Sequence, residues 1–135
     1  MASSYNKPSD RRTYDNALLL QADTTDTSTD SSTPVNFEVR TGPFDVVIDV
    51  SAIDAADGDE TYVFSVDVSD ATGGTYTKVV ALPNIRAIGT GRYIIAIDPS
   101  LVHKLDDDAD WIKVTATLGG TTPSVTWSAF IAPRQ

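Results

Sequence analysis

The 135-residue sequence contains no cysteine and only one histidine, and these two shortages exclude several kinds of protein. Without cysteine the chain cannot hold a disulfide scaffold, a thiolate zinc site, an iron–sulfur cluster or a cysteine nucleophile. With one histidine it cannot hold the two-histidine motif of zinc proteases, and a Ser-His-Asp triad would have a single possible base, His103. The lack of cysteine also suits a protein made in a reducing compartment.

Positive charge and long apolar runs are scarce as well. The chain has 10 Lys and Arg against 19 Asp and Glu, which gives a formal net charge of −9. A nucleic-acid partner requires a basic surface, so we expect none. No run approaches the roughly 20 apolar residues of a membrane-spanning helix, and the first 16 residues lack the apolar segment of a secretory signal. We therefore expect no membrane partner.

The residues that favour exposed helix are also rare, and this predicts an all-β fold. Glu, Lys, Gln and Met together number nine, whereas Val, Ile and Thr together number 39. Branched side chains fit the pleated sheet and lose rotamer freedom in a helix. The length fits one domain with a core of its own.

Apolar residues alternate with polar ones along most of the chain, which is the period of a strand with one buried face. One short helix is predicted at 98–105, with Asp98 as its cap and Pro99 at its first position. Eight strands with one apolar face each predict a two-sheet antiparallel sandwich, and the strand count favours a jelly roll over an immunoglobulin-like sandwich without settling the topology. The predicted strands are 17–21, 35–40, 45–51, 61–69, 75–82, 92–98, 111–118 and 123–131.

Residues 1–16 differ in charge from the rest of the chain, and we predict that they form an extended N-terminal arm ahead of a sandwich domain at 17–135. The arm has a small positive charge and two tyrosines, whereas the domain is strongly acidic. Such a segment either binds something outside its own fold or is a frayed terminus. The candidate contact residues of the arm are Tyr5, Arg11, Arg12 and Tyr14.

Residues 22–33 consist of Ser, Thr and Asp apart from Ala22. We predict a solvated loop here, or a segment that a neighbouring subunit orders. The acidic run 54–60 lacks the spacing of an EF-hand, so an acidic turn is favoured over a calcium site. The acidic run 106–110 is predicted to be a solvated loop, with a subunit interface that offers basic groups as the alternative. No metal or cofactor site is predicted.

No set of residues stands out as catalytic. Acidic residues occur throughout the chain and single out no pair, and Gly89-Thr90-Gly91 lacks the third glycine of a dinucleotide-binding motif. His103 lies in the predicted helical turn and would be the base of any hydrolase. We expect the protein not to be an enzyme.

Two aromatic residues, Trp111 and Phe130, occupy positions that alternate with buried ones and are predicted to lie on outward faces. If uncovered they would form binding surfaces, and if a loop or the arm lies over them they would not. Both are candidate contact residues.

Five motifs in residues 40–133 resemble those of the cement or decoration proteins of tailed bacteriophages. The motifs are Gly42-Pro43-Phe44-Asp45-Val46-Val47-Ile48-Asp49-Val50, the run from Asp59 to Asp70, Gly91-Arg92-Tyr93, Trp111-Ile112-Lys113-Val114 and the closing run from Thr122 to Pro133. They are structural motifs, and no catalytic residue or cofactor comes with the family.

The resemblance implies a jelly-roll virion protein that is made in the host bacterial cytoplasm and lies on the outer surface of a DNA-filled capsid. Such subunits are often homotrimers, and they clamp the seams between subunits of the major capsid protein. An alternative is a carbohydrate-binding β-sandwich module of a phage host-recognition structure, in which Trp111 and Phe130 would stack against sugars. A third hypothesis is a hydrolase that depends on His103.

Overall fold

The computed structural model describes residues 18–37 and 42–133. Within these ranges the chain forms nine strands and one short helix. The strands are β1 (Leu19–Asp26), β2 (Asp30–Ser31), β3 (Val35–Asn36), β4 (Phe44–Ile53), β5 (Thr61–Ser69), β6 (Thr77–Ala81), β7 (Gly91–Ile97), β8 (Trp111–Gly119) and β9 (Val125–Pro133), and the helix is α1 (Pro99–Leu105).

The strands form two antiparallel sheets in jelly-roll order. The front sheet has the order β1-β9-β4-β7, and the back sheet has the order β2-β8-β5-β6. β3 also pairs with β8, just beyond β2, so β2 and β3 act as one interrupted strand. Counted that way there are eight strands, and the first lies beside the last, as Greek-key connections require. The predicted all-β jelly-roll sandwich is confirmed.

The core lies between the sheets and is built from the alternating residues of the central strands. Phe64 of β5 and Trp127 of β9 meet there edge to face, with ring centroids 5.1 Å apart. Tyr62 is also fully buried. Large aromatic side chains supply much of the buried area of a small sandwich, so contacts between these rings join the two sheets.

The segment 22–33 is the main departure from the predicted strand boundaries. β1 continues to Asp26 and β2 follows at Asp30, so the prediction of a loop over the whole segment is wrong. Hydroxyl groups take the place of apolar contacts, because Thr25 and Thr126 share a hydrogen bond of 2.7 Å across β1 and β9. Ser32 is buried, and its Oγ accepts a hydrogen bond from the amide of Val114. The alternation of apolar and polar residues did not predict these strands, because residues 23–33 contain only Ser, Thr and Asp.

The predicted helix is confirmed with its cap. The carboxylate of Asp98 accepts a hydrogen bond from the amide of Ser100 at 3.0 Å, and Pro99 occupies the first turn. Val102 is buried, while Leu101 and Leu105 are exposed. This short helix therefore presents an apolar face to solvent.

Candidate interaction surfaces

The acidic loop at 54–60 is a closed turn whose centre is a buried glutamate. Glu60 has no exposed surface, and its two carboxylate oxygens accept hydrogen bonds from the amides of Asp57 and Gly58, each at 2.9 Å. Hydrogen bonds from two backbone amides to one carboxylate are charge-assisted, so they hold the turn in this conformation. The interpretation of this run as a turn is confirmed.

Hydrogen bonds connect the same loop to the turn between β8 and β9. Asp59 accepts hydrogen bonds from the hydroxyl of Thr121 at 2.7 Å and from its amide at 3.0 Å, and these bonds lower the pKa of Asp59. Gly120 has a φ of +88°, and a Cβ on it would lie 2.4 Å from the carbonyl oxygen of Asp59. Only glycine fits a left-handed position pressed so closely against another backbone.

Tyr62 completes this end of the sandwich. Its buried hydroxyl donates to the carbonyl of Asp54 and accepts from the amide of Ser124 at 3.0 Å. Burial is the main cause of the raised pKa of Tyr62. Among the described residues, no three of the His, Asp and Glu side chains are grouped closely enough to hold a metal ion.

His103 has a structural position. Its ring stacks on Phe37 with centroids 6.2 Å apart, and Nε2 lies 3.1 Å from the carbonyl oxygen of Ala109. Since a carbonyl oxygen only accepts hydrogen bonds, Nε2 carries the proton and donates. The ring thus ties α1 to the loop that follows. In that loop, Asp106 accepts from the amide of Asp108 at 3.1 Å, as in an acidic turn.

Phe130 and Trp111 lie on opposite sides of the molecule. Phe130 is on the outer face of the front sheet, as the alternation predicts, and of the two alternatives for this ring the structure shows the covered one, with only 6% of the residue exposed. Trp111 is on the outer face of the back sheet and is half-buried. The two rings therefore do not share one surface against which a single sugar could stack.

An apolar row crosses all four strands of the front sheet on its outer face. The strand register pairs Leu19 with Phe130, Phe130 with Val47, and Val47 with Ile94. Val47 has no exposed surface, although alternation placed it on the solvent side. The guanidinium of Arg92 lies 5.6 Å from the centroid of the Phe130 ring. Sequence reasoning missed this row because it exists only once the strands are in register.

The back sheet has a polar outer face, and part of it is unexpectedly buried. Ser65, Asp67 and Ser69 alternate with core residues of β5, yet each is at most 9% exposed. The carboxylate of Asp67 accepts from the hydroxyl of Ser65 at 3.1 Å and from that of Thr115 at 2.7 Å. These hydrogen bonds satisfy a carboxylate that the neighbouring strands surround.

One flank of the sandwich is apolar and basic. β6 and β7 are the last strands of their sheets on the same side, and α1 lies against them over a groove of about 260 Å³ lined mainly by aliphatic side chains. Every exposed large hydrophobic residue of the described ranges lies along this flank or in its connecting turn. These residues are Ile88, Ile94, Leu101 and Leu105, with exposures from 45% to 65%.

Cations concentrate on the same flank. Of the five Lys and Arg residues in the described ranges, four belong to β6, β7, α1 or the turn between β6 and β7. These four are Lys78, Arg86, Arg92 and Lys104, and the guanidinium of Arg92 is ion-paired with the carboxylate of Asp49 at 2.7 Å. We call the surface formed by β6, β7, α1 and this turn the basic flank.

The opposite flank, formed by β1, β2 and the residues between them, has the reverse character. It carries Asp23, Asp26 and Asp30, and residues 18–37 contain no Lys or Arg. Asp26 accepts a hydrogen bond from Nε1 of the Trp127 indole at 2.8 Å, whereas Asp23 and Asp30 are exposed. We call this surface the acidic flank.

Four of the candidate contact residues, Tyr5, Arg11, Arg12 and Tyr14, lie outside the described residues, as does the predicted boundary between residues 16 and 17. No helix within 18–37 and 42–133 combines the length and apolarity needed to cross a bilayer. Neither the known protein families nor the curated proteins contain a match to the sequence.

Proposed function

We propose that the protein is a structural protein of a tailed-bacteriophage virion that decorates the outer surface of the capsid. In this role it contacts the major capsid protein, stabilises the seams between its subunits, and acts as a homotrimer without cofactor or catalysis. The observation that carries the proposal is the jelly-roll strand order, since the sequence motifs resemble decoration proteins and imply that same fold.

The central strands of the described residues are extensively paired, which suits a protein that holds capsid subunits together. β4 pairs with β9 and β5 pairs with β8 along nearly their whole lengths, from Phe44 to Ile53 and from Thr61 to Ser69. Central strands of this kind open only when the whole domain unfolds. The hydrogen bonds of Asp59 and Tyr62 then fix the loops at one end to each other.

The contrast between arm and domain supports a tethered second contact. Residues 1–16 carry a small positive charge, while the rest of the chain is strongly negative. A contact through a linked segment raises binding by effective concentration, and a repeating capsid lattice multiplies many weak contacts. In this proposal Arg11 and Arg12 bind acidic groups of a neighbouring subunit or of the capsid surface.

The test is co-sedimentation of the protein with capsids assembled without it, taken from the phage that encodes the chain. Full-length protein is expected to sediment with the capsids, and a variant lacking residues 1–16 is expected to bind at least tenfold more weakly while keeping its thermal unfolding transition. Arg11→Glu with Arg12→Glu should reproduce most of this loss.

Asp10→Asn with Asp15→Asn is the matched control, because it changes two charges of the same segment in the opposite direction. It should bind at least as well as the native chain. Equal binding by the truncated and full-length proteins would refute the role of the arm. Failure of the full-length protein to bind would refute the proposed function.

A further inference from the structure

The acidic and basic flanks lie on opposite sides of the sandwich, and we propose that they bind each other between copies of this chain. The acidic flank of one copy would face the basic flank of the next, head to tail. The partner is a second copy of the chain, so the inference rests on the homotrimer of the proposed function and names its contacting surfaces, while its test requires no capsid.

The positions of the flanks follow from the strand order. β1 and β2 begin the orders of the front and back sheets, and β6 and β7 end them on the other side. The amide of Thr33 donates to the carbonyl of Leu20, which joins the β2 side to β1. The groove lined by residues of β6, β7 and α1 joins the two strands of the basic flank. Each flank is therefore one continuous surface.

Charge determines which flank meets which. A symmetric dimer pairs each patch with itself, and here that would place acidic residues against acidic residues or cations against cations. The attractive contact is the one that places Asp23 and Asp30 of one copy against Lys78 and Lys104 of the next. All four of these residues are exposed. A contact between two different surfaces leaves one flank open on each end, so it continues until a ring closes or a chain grows.

The apolar surface fits the same arrangement. Leu101 and Leu105 are one helical turn apart on α1 and are 56% and 59% exposed beside the groove. The facing surface offers the methyl groups of exposed threonines, which can cover aliphatic side chains without bringing a charge into the groove. These are Thr24, Thr25, Thr27, Thr29 and Thr33.

The available area is adequate for a specific contact. β1 has eight residues. A strand of that length spans roughly 26 Å, and the two sheets are packed about 10 Å apart with side chains beyond each. A flank of these dimensions offers an area of the order of the ~800 Å² per partner found in stable interfaces.

The test is the molar mass of the full chain in solution, measured by size-exclusion chromatography with light scattering at low and high salt. We expect at least three times the 14.4 kDa of the chain at low salt, and a smaller mass at high salt because screening weakens exposed charge pairs. Leu101→Ser with Leu105→Ser should lower the association at both salt concentrations.

Charge reversals identify the flanks. Asp23→Lys with Asp30→Lys, and separately Lys78→Glu with Lys104→Glu, should each weaken association at least tenfold. All four substitutions in one chain should restore it, because the two flanks then attract again with exchanged signs. An equimolar mixture of the two double variants should also associate.

Ala55→Lys with Ala56→Lys is the control, since it adds positive charge at two exposed positions of the turn between the central strands β4 and β5, outside both flanks. It should leave the mass unchanged, and circular dichroism should show that every variant is folded. A monomeric native chain at low salt would overturn the proposal. So would a four-fold variant that stays monomeric, or a control that dissociates as readily as the flank variants.

Discussion

Replacing Glu60 by glutamine tests the interpretation of the acidic run as a structural turn. The change keeps the size of the side chain but exchanges one acceptor oxygen for an amide group. In the native loop the two oxygens accept from the amides of Asp57 and Gly58. In the variant one oxygen can still accept, and the new NH₂ group faces a backbone N–H that has lost its partner.

The expected loss can be estimated from this geometry. Glu60 has no exposed surface, so water does not readily replace the missing acceptor. An unsatisfied buried donor costs about 1–3 kcal/mol, and the lost bond was also assisted by charge. We expect a loss of about 2–3 kcal/mol in the free energy of unfolding, or roughly 6–12 °C in Tm for a domain of this size.

Urea unfolding followed by tryptophan fluorescence measures this loss directly, because the buried Trp127 reports on the core. Asp70→Asn is the control, since it neutralises a carboxylate at an exposed position. It should change stability by less than about 0.5 kcal/mol. A Glu60→Gln variant as stable as the native chain would refute the account of this loop.

Three further predictions concern the same scaffold. Gly120→Ala should destabilise the fold by about 2–4 kcal/mol in urea unfolding because of its positive φ and its backbone contact, whereas Gly73→Ala, with open space around its Cβ, should be nearly neutral. Hydrogen bonds lower the pKa of Asp59 in the folded state below its ordinary value of 3.8. The charged carboxylate therefore stabilises the folded state at pH values above the unfolded pKa, and this stabilisation is lost as the pH falls through the lowered pKa of the folded state. The difference in Tm between the native chain and Asp59→Asn should therefore be largest near neutral pH and vanish in strong acid. Trp127→Phe removes the indole bond to Asp26 and leaves a gap in the core, so calorimetry should show a loss of about 2–4 kcal/mol.

The parts of the fold that depend on residues close together in the sequence could be predicted. Alternation identified the central strands because their apolar faces fill one core, and the sequence Asp98-Pro99 marked the start of α1 because both residues act within a single turn. β1 and β2 were missed beyond Gln21, since their strand structure rests on hydroxyl contacts and on pairing with distant strands. Periodicity carries no signal for such a segment.

The surfaces were less predictable because they depend on register and strand order. The alternation correctly placed Phe130 outward, but its neighbours Leu19 and Val47 come from other strands and make that face apolar. The two flanks also emerge only when the order of strands in each sheet is known. Glu60 did carry a local signal, because a glutamate just after Asp57-Gly58 is placed to accept the amides of that turn.

The most direct test of the proposed function is a cryo-microscopy reconstruction of the native phage particle at a resolution that separates β-strands. We expect density for this jelly roll on the outer surface of the capsid, over contacts between major capsid protein subunits, with residues 1–16 reaching a neighbouring subunit. A reconstruction in which the capsid surface is complete and bare, with the chain found in the tail or absent from the particle, would contradict the proposed function.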